Sequence, residues 1–317
     1  MHIALVTPVP PDAVLGNAVT ARRWADLLTE LGHRVELATS YSEGHEELLI
    51  ALHARRSADS VARFHTLHPS APIIVGLAGT DLYRDIKSSH EAQRSLEIAS
   101  RLVVLQPRAL DDLPSHLHEK TRVIHQSSPV PSKRAPKEPD SFQVCVLAHL
   151  RDIKDPLRAA RAVQLLPPTS RTRVVHAGRA LNDDVAEQAR AEAEANPRYR
   201  WLEELSRAQS QALLTASHLL VISSTMEGGA NVVSEALAAS IPIVATRIPG
   251  NVGILGEDYP GYFPVGNTKE LTRILLSAET DQTFYEQLAA AGRRLAPLVD
   301  PAREKAAWQR LLGEFAD

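Results

Sequence analysis

The sequence is poor in cysteine and has no excess of positive charge. Its 317 residues include one cysteine, Cys145, so neither an intrachain disulfide nor a zinc site built only from cysteines can form. Lys and Arg number 35 against 38 Asp and Glu, a net charge of −3, which excludes the overall basic surface of a dedicated nucleic-acid-binding protein. The single cysteine favours a reducing compartment. The net charge still allows a local basic pocket.

Long hydrophobic runs are also missing. No apolar run approaches the roughly 18 residues that a transmembrane helix requires. The apolar stretch Met1–Thr7 is followed at once by Pro8, and it has neither the basic region nor the hydrophobic length of a signal peptide. The sequence therefore predicts a cytoplasmic protein without stable membrane insertion.

Short apolar runs alternate along the chain with longer amphipathic stretches, a pattern typical of β-α-β units on a parallel sheet. One series runs from Ile3 to Gln126, with predicted strands at Ile3–Thr7, Val35–Thr39, Leu48–His53, Ile73–Leu77, Leu102–Leu105 and Val123–Gln126. A second begins at Phe142, with predicted strands at Phe142–Leu147, Arg173–His176, Leu219–Ser223 and Ile241–Ala245. Its predicted helices are Pro156–Leu166, Asp183–Ala195, Arg207–Ala216 and Asn231–Ala239. The stretch Ser127–Ser141 between them holds four prolines and predicts a semi-rigid linker. We therefore expect an α/β protein of two doubly wound, Rossmann-like domains, residues 1–134 and 140–299. Their parallel sheets would face a cleft, with ligands at the carboxyl ends of the strands.

The strongest motif lies in the second series. A predicted strand ends in a glycine-containing loop from which a helix begins, in the order Leu219–Ser223, Glu227, Gly228–Gly229, Asn231 and Glu235. Backbone N–H groups at such a helix start suit a phosphate or sugar hydroxyls. The Glu235 carboxylate can accept hydrogen bonds from two vicinal hydroxyls, such as those of a ribose, and Glu227 can do the same for a second sugar. The alternative is that both glutamates only complement the helix dipole.

This segment resembles the nucleotide-sugar site of the retaining glycosyltransferases of family 4, which have the two-domain GT-B fold. The resemblance extends over nearly the whole chain and is strongest from Val144 to about Val265. It implies that Glu235 holds the ribose of the donor, and that Glu227 and the loop after it hold the donor hexose. The donor-binding residues implied in this way are Glu227, Gly228, Gly229, Ala230, Asn231, Val232 and Glu235.

A second segment, Leu147–Pro156, resembles the family's Gly-Arg-Leu-x-x-x-Lys-Gly stretch, whose Arg and Lys clamp the donor diphosphate. Lys154 matches that lysine, His149 stands in the arginine position, and Arg151 follows two residues later. The resemblance implies that Arg151 and Lys154 neutralise the diphosphate beside His149. It also implies that Glu227, Lys154 and Arg151 form the catalytic set. An exposed basic loop before a helix is the alternative.

The sequence lacks the Asp-x-Asp motif with which metal-dependent nucleotide-sugar enzymes commonly hold Mg²⁺ or Mn²⁺. Fixed cationic side chains and helix amides can replace that ion. Two pairs of nearby histidines, His65 with His68 and His116 with His118, have no clear third ligand and are interpreted as surface or core residues. We therefore expect no metal and no cofactor, beside the nucleotide-sugar co-substrate that the resemblance implies.

The acceptor is expected in the first domain. Three predicted strand ends there each supply an arginine, and a further loop with glycine follows the first strand. Arginines that converge at the carboxyl ends of strands suit an anionic acceptor. Arginines that only begin helices and remain solvated are the alternative. The candidate acceptor-binding residues are Gly16, Asn17, Arg55, Arg56, Thr80 and Arg84.

Several strings, most of them in the first domain, carry a closer resemblance; they stand at Gly16–Asn17, Thr20–Trp24, Ala51–Ala58, Gly79–Ile86, Gln93–Leu96, Leu102–Gln106 and His149–Pro156. They resemble the bacterial selenosugar synthases of selenoneine biosynthesis, which join the sugar of a UDP-sugar to selenophosphate. The resemblance implies a hexosyltransferase that uses UDP-GlcNAc or UDP-glucose and a small anionic acceptor, selenophosphate, and that binds no nucleic acid. The family-4 resemblance also implies that a helix over residues 300–317 packs back on the first domain.

Other reaction classes stay open from the sequence alone, because a fold does not fix a reaction. They are a UDP-sugar transferase with an ordinary hydroxyl acceptor, a GT-B-fold sugar-nucleotide epimerase, and a non-catalytic nucleotide-sugar binder. A dehydrogenase is disfavoured, since no Gly-x-Gly-x-x-Gly fingerprint follows the first strand.

Overall fold

The computed structural model describes residues 1–315, which divide into two compact units. The first unit consists of residues 1–127, 227–231 and 300–315, and the second of residues 128–226 and 232–299. Glu227–Asn231, which the sequence places in the second predicted domain, groups with the first unit. The helix predicted over 300–317 includes residues 316 and 317, which lie outside the described part of the chain.

The first unit contains a sheet of six parallel strands, namely β1 (His2–Val6), β2 (Arg34–Ala38), β3 (Leu48–Leu52), β4 (Ile73–Gly76), β5 (Arg101–Val104) and β6 (Thr121–Val123). Their order in the sheet is β2-β1-β3-β4-β5-β6. Strand β1 lies next to the edge strand β2 and pairs on both sides, with Ile3 opposite Val35 on one side and Leu48 on the other. All five residues of β3 are buried, as expected of a parallel strand that is covered on both faces.

Helices cover both faces of this sheet, and within residues 1–127 they are α1 (Gly16–Glu30), α2 (Ala58–Leu67), α3 (Thr80–Tyr83) and α4 (His90–Ile98). Successive strand side chains point to opposite faces. Accordingly, Ala4 packs in one core cluster with Phe64 and Leu96, and Ile3 packs in another with Trp24. The sequence turns after α1 at Gly32, whose φ of 88° favours glycine.

The second unit contains another six-stranded parallel sheet, namely β7 (Phe142–Leu147), β8 (Thr172–Ala177), β9 (Tyr199–Trp201), β10 (Leu219–Ile222), β11 (Ile243–Thr246) and β12 (Tyr262–Phe263). Its order is β12-β11-β10-β7-β8-β9. The sequence pattern predicted four of these strands but not β9 or β12. These edge strands have three and two residues, too few for an apolar run to mark them.

The helices of the second unit are α5 (Arg158–Gln164), α6 (Asp183–Ala195), α7 (Arg207–Ala216), α8 (Asn231–Ala238), α9 (Pro249–Leu255), α10 (Thr268–Thr280) and α11 (Gln282–Leu295). Polar caps fix several of their starts. The Asn182 side chain accepts the Val185 N–H at 2.9 Å, and Ser206 forms a reciprocal capping box with Gln209. α8 carries the glutamate motif, and its first residue, Asn231, groups with the first unit.

A final helix, α12 (Pro301–Gly313), belongs to the first unit and packs against α1. The Trp24 and Trp308 rings meet edge to face, with centroids 4.8 Å apart. Leu311 and Leu312 complete the core cluster that contains Trp24. The helix therefore buries the apolar stripe that its spacing of large side chains predicts.

Candidate active site

The segment Glu227–Asn231, here called the donor segment, lies in close backbone contact with the first unit. A Cβ atom on Gly228 would lie 1.6 Å from the Ala78 carbonyl oxygen, and one on Gly229 would lie 2.6 Å from the Leu105 Cβ atom. Only glycine lets two main chains approach this closely. The Gly-Gly pair is thus explained by packing at the carboxyl ends of β4 and β5.

Hydrogen bonds hold the donor segment in place. The Gln126 side-chain amide donates to the Gly229 carbonyl oxygen at 2.6 Å. Arg23 of α1 donates through Nη1 to the Asn231 Oδ1 atom at 2.8 Å and through Nη2 to the Gln126 Oε1 atom at 2.6 Å. One guanidinium therefore bonds the donor segment directly at Asn231 and indirectly at Gly229.

Arg23 is itself fixed by a buried carboxylate of α12. Its Nε atom donates to Glu304, with the shorter distance 3.0 Å to Oε2. Glu304, whose side chain is 1% exposed, also accepts from the Trp24 indole at 3.0 Å and from the Ser127 backbone N–H at 2.7 Å. The chain Glu304–Arg23–Asn231, here called the arginine brace, ties α12, α1 and the donor segment together.

The predicted donor residues differ in burial. Glu227 is 8% exposed and Ala230 is 7% exposed, whereas Glu235 is half-buried one turn into α8. The Asn231 Oδ1 atom is engaged by Arg23 at 2.8 Å, and its side-chain amide nitrogen makes a long contact with Gly16 at 3.4 Å. Val232 is half-buried in the first turn of α8.

In the second unit, the predicted phosphate-binding residues follow β7 in a tight loop. Residues Asp152–Lys154 form a 3₁₀ turn that ends at Asp155 in the left-handed region, with φ of 43°. The Ser223 hydroxyl donates to the Lys154 carbonyl oxygen at 3.0 Å, and the Thr225 N–H donates to the Ile153 carbonyl oxygen at 2.8 Å. The loop after β7 and the loop after β10 are therefore joined at one sheet edge.

The three basic residues of that loop have distinct environments. Arg151 is exposed, and Lys154 and His149 are half-buried. The His149 Nδ1 atom accepts the Arg179 backbone N–H at 3.2 Å, which leaves the proton of a neutral imidazole on Nε2. His149, Arg151 and Lys154 thus lie in one short segment after β7, and their phosphate-binding role stays a prediction.

The predicted acceptor arginines meet at one buried carboxylate. Asp85, 5% exposed, accepts the Arg55 Nε–H at 2.8 Å on Oδ2 and the Arg84 Nε–H at 3.1 Å on Oδ1. Burial raises the pKa of Asp85, but the hydrogen bonds from Arg55 and Arg84 outweigh it, and the pKa lies below its ordinary value. Both guanidiniums are therefore held side by side by a charged partner.

A buried histidine lies beside this pair. His53 is 2% exposed and adopts a φ of 75°, a backbone conformation that costs a non-glycine residue on the order of 1–3 kcal/mol. Its Nε2 atom is 3.1 Å from the Thr80 Oγ1 atom and 3.8 Å from the Asp85 Oδ2 atom. The structure brings Arg55, Thr80 and Arg84 together around His53.

Of the remaining predicted acceptor residues, Gly16 and Asn17 stand apart from that group, whereas Arg56 contacts His53 through its backbone. Gly16 begins α1, and its carbonyl oxygen accepts a long hydrogen bond from the Asn231 side chain at 3.4 Å. Asn17 is half-buried in the first turn of α1. Arg56 is exposed, and its backbone N–H donates to His53. Gly16 and Asn17 thus adjoin the donor segment rather than the arginine pair.

The paired histidines of the sequence have protein partners. His68 is 2.9 Å from the Tyr41 hydroxyl, His116 is 2.8 Å from Glu97, and His118 bonds the Leu113 carbonyl oxygen at 3.0 Å. Among the described residues, the one cluster with metal-ligand spacing is His2 with Glu36 and Glu46, which includes no predicted site residue. None of the described helices is both long and apolar enough to cross a membrane.

Sequence reasoning did not identify the residues that hold the site groups in place. Arg23 lies inside the string Thr20–Trp24, and His53 ends a predicted strand. The sequence pattern could therefore have marked both as candidate site residues. No sequence pattern marks Glu304, because its partner Trp24 is 280 residues away along the chain. Asp85 stands next to Arg84, and only the fold shows that it also bonds Arg55.

Comparison with known proteins agrees with this architecture. Residues 131–295 match the family described as glycosyl transferases group 1. The Anabaena protein HepE, solved with UDP and glucose, is 16% identical with a TM-score of 0.77, over 99% of this chain and 100% of that chain. Sucrose-phosphate synthase from Thermosynechococcus elongatus is 14% identical with a TM-score of 0.80, over 99% and 98% of the two chains.

A third similar structure is the pneumococcal O-GlcNAc transferase GtfA, solved with UDP and GlcNAc. It is 14% identical with a TM-score of 0.65, over 85% of this chain and 57% of that chain. At these identities the likeness concerns the fold, and the predicted GT-B fold with two Rossmann-like parallel sheets is confirmed. Because the family match spans more than half of the sequence, this chain belongs to the glycosyl transferases group 1.

Proposed function

We propose that this protein transfers a hexose, GlcNAc or glucose, from a UDP-sugar to a small anionic acceptor, selenophosphate. The observation that carries the proposal is the pair of guanidiniums, Arg55 and Arg84, held by the buried Asp85 carboxylate. Each arginine uses its Nε atom for that bond, so its two terminal nitrogens point elsewhere and can form a fork to phosphate oxygens. The site carries two positive charges against one negative charge, with Arg56 next to it in the sequence.

Membership of the glycosyl transferases group 1 supports the donor half of the proposal. HepE was solved with UDP-glucose and GtfA with UDP and GlcNAc, so similar folds bind uridine nucleotides and these hexoses. In this chain Glu235 would accept the ribose hydroxyls. Glu227 and the backbone N–H groups of the donor segment would bind the hexose.

The charge of the donor diphosphate would be met by protein cations. Lys154 and Arg151 supply fixed positive charge, and the Nε2–H group of His149 supplies a donor. Such preorganised groups stabilise a leaving diphosphate without a metal ion. We therefore propose that the reaction needs neither a metal nor a cofactor.

The proposed acceptor step is a nucleophilic substitution at the anomeric carbon of the donor sugar. The selenium atom of selenophosphate attacks the anomeric carbon with its own electron pair, and the bond from that carbon to the UDP oxygen breaks. Water then cleaves the selenium–phosphorus bond, so the products are a 1-seleno-sugar, UDP and inorganic phosphate. A soft, anionic nucleophile needs little help from a general base, which fits a site built from arginines.

The compartment belongs to the same proposal. Burial raises the pKa of the single thiol, Cys145, to about 12, so this side chain is an inert core residue. Neither disulfides nor a membrane helix among the described residues are needed for the fold. We propose that the protein acts in the cytoplasm.

Mass spectrometry of reactions with UDP-GlcNAc or UDP-glucose and selenophosphate tests the function. We expect UDP and a selenium-containing sugar from the wild type. The variants Arg55→Ala and Arg84→Ala should each lose about thirtyfold in acceptor-dependent kcat/KM, or about 2 kcal/mol, because one charged hydrogen-bond fork is lost. UDP affinity should not change in either variant.

Arg34→Ala is the matched control, since Arg34 is another exposed arginine of the first unit that bonds one carboxylate, Glu36, at 3.1 Å. This variant should react like the wild type. Turnover of a sugar alcohol while selenophosphate and thiophosphate stay inert would overturn the anionic acceptor. An altered nucleotide sugar without UDP release would point instead to an epimerase.

A further inference from the structure

His53, which is 2% exposed, lies beside the arginine pair, and its ring has a defined tautomer. The Nδ1 atom lies 3.3 Å from the Arg56 backbone N–H, which can only donate, so Nδ1 is the acceptor. A neutral imidazole carries one proton, which is then on Nε2. The Nε2–H group therefore donates to the Thr80 Oγ1 atom, 3.1 Å away.

This donation fixes the role of the Thr80 hydroxyl. With one lone pair engaged by His53, the hydroxyl turns its own hydrogen away from the imidazole and becomes a donor. Thr80 is the first residue of α3 and is only half-buried, so this hydrogen can reach a bound ligand. The same Nε2 atom is 3.8 Å from Asp85 Oδ2, the oxygen that accepts from Arg55.

We propose that His53 is a positioning residue of the acceptor site, which orients the Thr80 hydroxyl as a hydrogen-bond donor to the tetrahedral anion that Arg55 and Arg84 bind. The inference rests on the proposed function, since it names a further donor for the same anion. Two guanidinium forks and one hydroxyl would then bind phosphate oxygens and leave the selenium atom uncovered.

The protonation state of His53 controls this arrangement. The charged groups that face the ring are Asp81, Asp85, Arg55 and Arg56. Burial lowers the pKa of His53 below its ordinary value, although the Asp81 carboxylate opposes the shift. A protonated ring would carry a second N–H at Nδ1, directed at the Arg56 N–H, and would lose that hydrogen bond. The neutral ring therefore prevails at pH 7, whereas in acid the ring keeps its Nε2–H group but loses the Arg56 contact that orients it.

The strained backbone agrees with a functional reason for this histidine. His53 has a φ of 75° in the turn after β3, where its N–H donates to the Gly76 carbonyl oxygen at 2.8 Å. Asp81 helps to shape the same turn, because its carboxylate accepts the Ala54 and Ala78 backbone N–H groups at distances of 3.2 and 3.0 Å. The turn thus presents the imidazole to α3 in one orientation.

Nitrogen-15 NMR of histidine-labelled protein tests the tautomer directly. We expect the His53 resonances of an Nε2–H tautomer from pH 6.5 to 8, and a change of the His53 Nε2 shift on titration with inorganic phosphate, since Nε2 bonds the Thr80 hydroxyl. An Nδ1–H tautomer, or a ring protonated throughout this range, would overturn the proposal whether or not the protein is a transferase.

Kinetics of four variants test the function of the contact. Thr80→Val and His53→Leu should each lower acceptor-dependent kcat/KM by about tenfold to a hundredfold, the loss expected for one hydrogen bond to a charged ligand. Thr80→Ser and His53→Gln should restore most of it, because each retains the required hydroxyl or N–H donor. UDP affinity should be unchanged throughout, and His116→Gln, at a 61% exposed side chain, should resemble the wild type.

The double variant and the pH profile separate positioning from mere stability. His53→Leu combined with Thr80→Val should be no worse than either change alone, since both remove one contact. We expect wild-type transfer to fall in acid, as protonation of His53 breaks its contact with the Arg56 N–H, and we expect this acid limb to be absent from His53→Gln. Losses that multiply in the double variant, or an acid limb that persists, would refute positioning while the proposed function stands. If His53→Leu does not fold, the acceptor-dependent kcat/KM of Thr80→Val compared with that of Thr80→Ser still tests whether the Thr80 hydroxyl is required.

Failure of the proposed function gives a different pattern. In that case the wild type turns over neither selenophosphate nor thiophosphate. Phosphate titration of wild type and Thr80→Val by NMR then decides the His53 proposal: equal affinities would overturn it, and weaker binding by Thr80→Val would support it.

Discussion

The donor segment and the arginine pair lie in the same unit but are built in opposite ways. The donor segment is held by backbone packing and by buried hydrogen bonds, with Gly228 against Ala78 and Asn231 against Arg23. The arginine pair is exposed, and one buried carboxylate, Asp85, aligns it. The donor segment can pack closely because its glycines have no side chains. The proposed anion binding of the arginine pair depends instead on charged side chains.

This difference indicates how each region can change. A segment fixed by steric contact tolerates almost no substitution, because a protein interior has no space for added atoms. Exposed guanidiniums on one anchor can be exchanged with little effect on the fold. We expect the hexose side of this site to be rigid and the acceptor side to be adaptable.

Removal of the arginine brace should have the largest effect. Arg23→Ala would leave the buried Glu304 carboxylate without its charged partner, which typically costs about 3–5 kcal/mol in the free energy of unfolding. Chemical denaturation measures the loss, and Arg23→Ala combined with Glu304→Gln should be less destabilised than Arg23→Ala alone. Lys305 follows Glu304 in α12 and forms an exposed ion pair with Glu30 of α1. Lys305→Ala, which breaks that pair, should change stability by less than about 0.5 kcal/mol. Equal stability of Arg23→Ala and Lys305→Ala would contradict the brace.

A methyl group on the donor segment should come next. Gly228→Ala places a Cβ atom against the backbone of Ala78, which cannot rotate away, so the segment must shift at a cost of about 3 kcal/mol. Sugar transfer should fall by roughly a hundredfold or more, because the hexose-binding groups move. Gly313→Ala is the control, since nothing lies within 4 Å of its added carbon. Normal transfer by Gly228→Ala would show that the segment is not fixed by packing.

A smaller effect should follow from loss of the ribose contact. Glu235→Ala should weaken UDP binding by about 1.5–3 kcal/mol, because a carboxylate that accepts hydrogen bonds from ribose hydroxyls is removed. Calorimetry with UDP measures the change, and Glu187→Ala, at an exposed glutamate of α6, serves as the control. Unchanged UDP affinity would remove Glu235 from the donor site. The brace should stay intact, so stability should hardly change.

The smallest effect should come from metal removal. On the proposed assignment, Lys154 and Arg151 meet the donor charge and Arg55 and Arg84 meet the acceptor charge, so EDTA should leave turnover unchanged. Reactions with EDTA and with added Mg²⁺ or Mn²⁺ make the comparison. A strict requirement for either ion would refute the assignment of the diphosphate charge to protein cations.

Much of the fold could be predicted because long apolar runs mark buried parallel strands. β7, α6 and α7 have the predicted bounds, Phe142–Leu147, Asp183–Ala195 and Arg207–Ala216. The short strands β9 and β12 and the helix α9 gave too little periodicity to be recognised. Local pattern therefore marked the longer elements and missed several of the short ones.

The candidate site divides in the same way. Lys154, Arg151 and the arginine pair could be selected because charged residues at strand ends are visible in a sequence. The functions of Asp85 and Glu304 could not, since each depends on which distant residue the fold brings within hydrogen-bond distance. Likewise, the direction of the Thr80 hydroxyl depends on one ring nitrogen of His53.

The return of α12 to α1 has a consequence for biosynthesis. Trp24 reaches the ribosome exit early, but the Trp308 ring that covers it lies on a helix made far later in translation. At roughly 5–20 residues per second, the intervening chain takes roughly 15–60 s to synthesise. During that interval the indole of Trp24, and the part of the sheet face that α12 covers beside α1, remain exposed. A nascent chain halted before Glu304 should therefore bind ribosome-associated chaperones through this face. Emergence of α12 from the ribosome should end that association.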